Sequence, residues 1–322
     1  MKKVGLILIL AIVALLLFAF TYGNKAIDVS KFDTNSTFVK DDRLLKHQNL
    51  PAISFSIIKT GEAKTLEAFV YSGGGFKEHI VSHTSILIRH PKAFLLFDTG
   101  LGTQIDQQFK EGMPYWIKPL MAYEKKGDVV TQLRLNNIDS NEIKIILASH
   151  LHWDHASGIE DFPQAKIWSV EEEHEWGKKV ASVESGVILS QFDSEKIQWD
   201  YFQFDETPYE NFKKSIDVFS DGSIVLVPLR GHTPGSFGMF LNLRSGKRFF
   251  FTGDTTWAIE GIQIPAEKHW ISGLLVDSKR EQTIASIVQV HKLMQEYPKL
   301  NIIPAHDNKV HEKIGFFPKF IQ

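Results

Sequence analysis

The sequence has no cysteine in 322 residues. That absence excludes disulfide bridges, thiolate metal ligands, a cysteine nucleophile and a lipid-modified cysteine anchor together. Any metal site must therefore be built from nitrogen and oxygen. Net charge is also scarce: 36 Lys and Arg against 38 Asp and Glu leave −2. There is thus no electrostatic case for nucleic acid or another polyanion, and a small near-neutral ligand fits at least as well. Internal repeats and low-complexity runs are missing too. Apolar surface is plentiful, at 43% hydrophobic and 12% aromatic residues, enough for a substantial core and too much for a disordered chain.

One hydrophobic run is long. Val4 to Phe20 (VGLILILAIVALLLFAF) is 17 consecutive apolar residues behind Met1-Lys2-Lys3, and no charged side chain follows before Lys25. A helix over residues 4–24 would measure roughly 30 Å, the thickness of bilayer hydrocarbon. Lys2 and Lys3 stay cytoplasmic by the positive-inside rule, which puts the rest of the chain on the extracytoplasmic side, periplasmic or extracellular. Ala19-Phe20-Thr21 fits a signal-peptide exit poorly. A single-pass membrane anchor through residues 4–23 is therefore expected, and cleavage there would make the protein secreted. The chain divides into an anchor or signal segment (1–23), a polar spacer (24–48) and one domain (49–322).

Within that domain short apolar runs are bounded by Gly, Pro, Asp and Asn: 53–58, 85–88, 93–97, 143–148, 167–170, 224–228, 237–243, 248–252 and 301–305. Many are apolar on both faces, as strands are when helices cover a sheet or two sheets pack together. A helical stripe runs from Ser278 to Tyr297 through Ile284, Ile287, Val288, His291, Met294 and Gln295, and Pro298 stops it. The alternation predicts one α/β domain. Residues 101–130 and 171–215 are expected to be irregular and aromatic, and loops of that kind are pocket walls or lids.

The densest chemistry is SHLHWDH, residues 149–155. On a strand His150, His152 and Asp154 would share a face and His155 would oppose them; on a helix His152 would point away. A loop after the strand at 143–148 is expected to gather all four. A catalytic zinc takes about three protein ligands and keeps one position for water, so four donors in one loop hint at two ions sharing it. The remaining donors must come from elsewhere, and three more apolar runs end in one: His232 in RGHTPG, Asp254 in TGD and His306 in PAHD.

HLHWDH, GHTPG, TGD and AH, in that order, with LLFDTGLG at 95–102, resemble the metallo-β-lactamase superfamily over residues 50–315. The resemblance implies an αββα four-layer sandwich with a dinuclear site at one edge of the sheets. Carried over by position, His150, His152 and His232 would hold one ion, Asp154, His155 and His306 the other, and Asp254 would bridge them. Asp98 would stand behind a ligand and orient it. Two divalent ions, zinc by expectation with iron, manganese or cobalt also suited to these ligands, would generate a bridging hydroxide near neutral pH and polarise the scissile bond. Asp154 and Asp254 are the candidate catalytic carboxylates, Asp154 passing the proton to the leaving group.

Departures narrow the branch. Asp254 is absent from true β-lactamases, one class of which also uses a cysteine. His152 stands where diiron oxygen-reducing relatives carry glutamate, and no flavin domain follows. Nuclease branches add basic segments, and glyoxalase II relatives carry C-terminal basic residues with no match here. SILIRHPKAFLLFDTGLG and LNNIDSNEIKIILASHLHWDHASGIEDFPQAKIW are similar to N-acyl-homoserine lactonases, so the expected substrate is a lactone or ester. A phosphotriester or phosphodiester is the second reading, and a non-catalytic sensor with a retained fold the third. In the lactonases a tyrosine follows the bridging aspartate by three residues; here that position is Trp257, whose indole can donate a hydrogen bond but is no acid at neutral pH. Trp257, Tyr115 and Trp116 are the candidate pocket residues, with Tyr123 a further one from the same loop.

Overall fold

The computed structural model describes residues 26–32, 38–39, 49–181 and 186–322. The expected membrane segment at 4–23 lies outside them, and among the described residues no helix is long and apolar enough to cross a membrane.

Among the described residues twelve strands form two sheets. They are β1 (Ser54–Leu66), β2 (Glu78–His90), β3 (Ala93–Phe97), β4 (Glu124–Lys125), β5 (Ile143–Leu147), β6 (Lys166–Ser169), β7 (Gln198–Tyr201), β8 (Ile216–Asp217), β9 (Ile224–Pro228), β10 (Phe237–Asn242), β11 (Arg248–Phe251) and β12 (Asn301–Ile303). The first sheet has the order β4-β1-β2-β3-β5-β6-β7 and the second β12-β11-β10-β9-β8.

Period-two alternation explains why they stack. In β3, Leu95 and Phe97 point to the middle layer and Leu96 to the outside; in β10, Phe237, Met239 and Leu241 point in and Phe240 out. The middle layer joins Phe55, Ile57, Ile86 and Ile88 of the first sheet to Ile224, Leu226, Phe249 and Phe251 of the second. Each side chain of this size contributes about 1.5–3 kcal/mol when fully buried. Outside the first sheet, Val129, Leu133 and Val180 from helices cover Ile58, Leu87 and Ile146. Outside the second, Ile262, Ile287, Val290 and Leu293 cover Val225, Phe240 and Phe250. The result is the expected αββα sandwich.

The apolar runs mark the strands but understate the first two. β1 and β2 pair over a 13-residue hairpin whose outer half carries Lys59, Glu62, Lys64 and Glu78, so only its inner half reads as apolar. Four helices bear on the site: α1 (Trp153–Ala156), α2 (Glu171–Val180), α3 (Trp270–Val276) and α4 (Arg280–Glu296). On α4 the buried residues are Thr283, Ser286, Ile287, Val288, Val290 and Leu293, of which Ile287 and Val288 belong to the expected stripe. The buried face is wider than that stripe, since Thr283 and Ser286 turn inward where the α4 backbone passes close to Gly231. The stretches expected to be irregular contain a helix at Ile105–Gly112, helix α2 and the edge strand β7. Their charged or half-exposed residues hide the periodicity.

Candidate metal centre

Every segment that carries a candidate ligand, and Asp98 behind them, follows a strand. β3 leads to Asp98, β5 to His150, β9 to His232, β11 to Asp254 and β12 to His306. β3 and β5 are parallel; β9, β11 and β12 share a direction, since β10 is antiparallel to β9 and β11, and β12 is parallel to β11. The donors therefore collect at one end of each sheet.

SHLHWDH is half loop and half helix, which corrects the expectation of a loop throughout. The backbone is non-helical to His152 (φ −71, ψ 154), and Trp153–Ala156 then form a single helical turn. His150 and His152, two apart in the non-helical part, can share a face, and the turn folds Asp154 and His155 back toward them. Gly231, at φ +125, makes the GHTPG turn possible, because a Cβ there would lie 2.0 Å from the backbone nitrogen of Thr283.

The donor atoms fall into groups. Those of His150, His152 and His232 lie within 4.8 Å of one another, as do those of His155, Asp254 and His306, and those of His83, Asp154 and His306. His152 Nδ1 approaches His232 Nε2 to 2.8 Å, and His155 Nε2 approaches His306 Nε2 to 3.4 Å. Asp254 sits between the histidine groups, with Oδ2 3.4 Å from His232 Nε2 and 3.1 Å from His306 Nε2, and Oδ1 3.1 Å from His155 Nε2. All eight residues are buried.

Each of four histidines has its outer nitrogen held from behind, which fixes the ring and leaves the inner nitrogen for the centre. His150 Nδ1 pairs with Ser149 Oγ (3.0 Å), His155 Nδ1 with Asp98 Oδ2 (2.8 Å), His232 Nδ1 with Asp277 Oδ1 (2.8 Å) and His306 Nδ1 with Ser82 O (2.9 Å). His150 Nε2 is buried without a hydrogen-bond partner. Such an orphan is costly, and a cation would satisfy it, so the donor set fits divalent metal.

Electrostatics agree. Burial pushes His150 and His232 well below the ordinary histidine range and His152 down to about 4, so these three are neutral and able to ligate. For His155 and His306 burial again opposes the charged form, but Asp254 and its fellow carboxylates outweigh it and raise both. Burial favours neutral Asp154 and Asp254, yet the surrounding histidines, His155 first for Asp154 and His306 first for Asp254, hold both well below the usual carboxylate range.

Residues 80–288 match the family model of the metallo-beta-lactamase superfamily. The chain belongs to that superfamily. Among similar members are the N-acyl homoserine lactonases AttM of Azorhizobium caulinodans, 26% identical over 69% of this chain and 80% of that protein, and of Agrobacterium fabrum, 23% identical over 73% and 85%. In fold it resembles an N-acyl homoserine lactone hydrolase with N-hexanoyl-L-homoserine at its catalytic metal centre (TM-score 0.66, 17% identity, 84% of this chain, 100% of that one). It also resembles AidC, a dizinc quorum-quenching lactonase (TM-score 0.55, 15% identity, 85% and 92%).

Within this superfamily member, the pocket candidates separate. Trp257 stands at the centre: its Nε1 donates to Asp254 Oδ2 at 3.0 Å, and its ring meets His306 edge-on at 6.1 Å. Tyr115 and Trp116 are 85% and 53% exposed, and no hydrogen bond or ring contact ties them to the ligands among the described interactions. Tyr123 donates to Asp106 Oδ1 at 2.8 Å and packs on Trp153, so its hydroxyl is already engaged.

Four residues in contact with the candidate centre escape sequence reasoning. His83 Nδ1 pairs with Asp154 Oδ2 at 2.9 Å, and its Nε2 is buried without a partner. Glu173 ties two ligand loops together, Oε1 accepting from Leu151 N (3.0 Å) and Oε2 from Gly235 N (2.8 Å). Lys268, fully buried, donates to Asp254 O (2.7 Å) and Asp277 Oδ1 (2.8 Å), and Asp277 in turn holds His232. Only His83 carried a signal, a histidine on a strand otherwise apolar toward its C-terminal end.

Proposed function

We propose that this metallo-hydrolase opens lactones or cleaves esters of acyl-homoserine-lactone type at a dinuclear centre, zinc being the expected metal. The observation that carries the reading is the placement of Asp254 between two sets of histidine donors whose outer nitrogens are held. His150, His152 and His232 would hold one ion, Asp154, His155 and His306 the other, with Asp254 reaching both. Bound divalent ions supply Lewis acidity and a nucleophilic water near neutral pH. The chain's part is to hold the ligands, keep the centre dry and manage the proton. Asp154, whose Oδ2 already takes a hydrogen bond from His83, is the carboxylate placed to take and return one. Similarity to named lactonases supports the lactone class.

Trp257 donates to Asp254 rather than offering an acidic phenol, so lactone opening here relies on the metals and Asp154 for proton chemistry. The test is a panel of acyl lactones, aryl esters and phosphotriesters given to the zinc-loaded protein. Lactone turnover above the metal-stripped control is expected; turnover of phosphotriesters alone would replace this reading by the second one, and no turnover of any would leave a sensor. The same proposal keeps residues 4–23 as a membrane anchor with the catalytic domain on the extracytoplasmic side.

A further inference from the structure

Exposed apolar side chains cluster where the chain enters the domain. Ile27 donates its backbone N–H to Pro265 O at 2.9 Å and packs near Ile262. The long apolar run of the sequence ends at Phe20, seven positions earlier, so the connecting chain spans at most about 25 Å when fully extended. A domain of this size has a radius of gyration of about 19 Å and is roughly 50 Å across. The tether therefore brings the surface around Pro265, and not the opposite one, to any bilayer that the run enters.

That surface carries large apolar side chains beside the Arg280–Glu267 ion pair. Ile264 is 47% exposed, Trp270 43%, Leu274 77% and Phe76 75%. The segments carrying them are joined: Ser72 N donates to Glu267 O (2.7 Å), Ser272 Oγ donates to Phe69 O (2.9 Å), and Gly73 faces Ile264. Four large apolar side chains together exceed scattered surface exposure, and tryptophan beside aliphatic residues suits the depth of a bilayer interface. The same helix borders the metal centre, with Lys268 just before α3 reaching Asp254 and Asp277 just after it reaching His232. A cavity of about 320 Å³ opens here, lined by Lys268, Trp270, Leu274 and Asp277 among others.

We propose that the face centred on Ile264, Trp270 and Leu274 seats on the lipid bilayer entered by the N-terminal run, holding that cavity at headgroup level, where amphiphilic acyl substrates concentrate. This rests on the anchoring reading of residues 4–23. The lack of native cysteine makes the test direct. Ile264→Cys, Leu274→Cys and, as control, Lys166→Cys at the start of β6, the end of the sheet away from the ligand loops, are nitroxide-labelled one at a time in the full chain. Each is reconstituted into phosphatidylethanolamine–phosphatidylglycerol vesicles, floated on a density gradient, and probed with lipid-soluble oxygen and a water-soluble nickel chelate. The oxygen-to-nickel accessibility ratio is expected to be several-fold higher at 264 and 274 than at 166. Flotation with equal ratios at all three positions overturns the docking and leaves the anchor standing, whereas failure to float removes both. Dipolar broadening at 274 that persists in detergent shows a second copy on this face and also overturns the proposal.

Discussion

The indole Nε1 of Trp257 donates a 3.0 Å hydrogen bond to Asp254 Oδ2, the same oxygen that faces His232 and His306. Hydrogen bonds to charged groups contribute about 1.5–3 kcal/mol. Trp257→Phe removes this one while keeping an aromatic wall, so turnover by the zinc-loaded enzyme should fall roughly tenfold or more, read as kcat and KM on the best substrate. Trp257→Tyr restores a donor and adds a phenol, and should exceed Trp257→Phe on lactones. Equal activity of Trp257→Phe and wild type would show that the bond is idle.

Lys268, buried, and Asp277, largely so, form an ion pair behind His232. Lys268→Met strips Asp277 of its cation and leaves His232 Nδ1 as the partner of the carboxylate, a loss of up to about 3–5 kcal/mol in such settings. Denaturant unfolding should show that loss, and zinc should dialyse away more readily than from wild type. The double variant Lys268→Met with Asp277→Asn should be less destabilised than the sum of the singles, because the residues share one interaction.

Asp98, at φ 56, bonds Ser149 N (2.7 Å), Ser149 Oγ (2.8 Å) and His155 Nδ1 (2.8 Å). Asp98→Ala should weaken metal affinity about 10–100-fold, as loss of a carboxylate behind a ligating histidine does. Competition with a chromogenic chelator measures it.

Burial pushes the carboxyl of Glu173 up to about 7 against the stabilising bonds from Thr233, Leu151 and Gly235. Below about pH 4 the group is protonated in folded and unfolded chains alike. Between there and pH 7 the unfolded chain ionises it while the folded one keeps the proton, so its contribution to stability declines as pH rises and is lost above 7, by on the order of 3 kcal/mol. Glu173→Gln does not titrate. Thermal unfolding of both proteins should show the variant gaining on wild type from pH 5 to pH 8; a constant difference would refute the shift.

Much of the candidate centre is legible because its candidate ligands lie in four short segments, each of which begins after a buried strand. His150 to His155, His232, Asp254 and His306 are named by that pattern, and the strands by their apolar runs. Glu173 was not, since EEEHEW reads as a solvated helix start and its burial arises only when α2 packs beneath two loops. Lys268 and Asp277 are nine residues apart and meet across α3, with no periodicity to announce a buried pair. Tyr115 and Trp116 drew attention as aromatics in a long loop, but aromatic identity does not determine direction, and both stand largely in solvent.

If two ions held by these donors let the chain open a lactone, acyl lactone opening followed by pH-stat must depend on added zinc. Starting from metal-stripped protein, turnover is expected to be absent without zinc and to rise until it levels off at about two equivalents per chain, the number the paired donor sets imply. Lactone opening that ignores zinc, or none at any loading, would contradict that expectation.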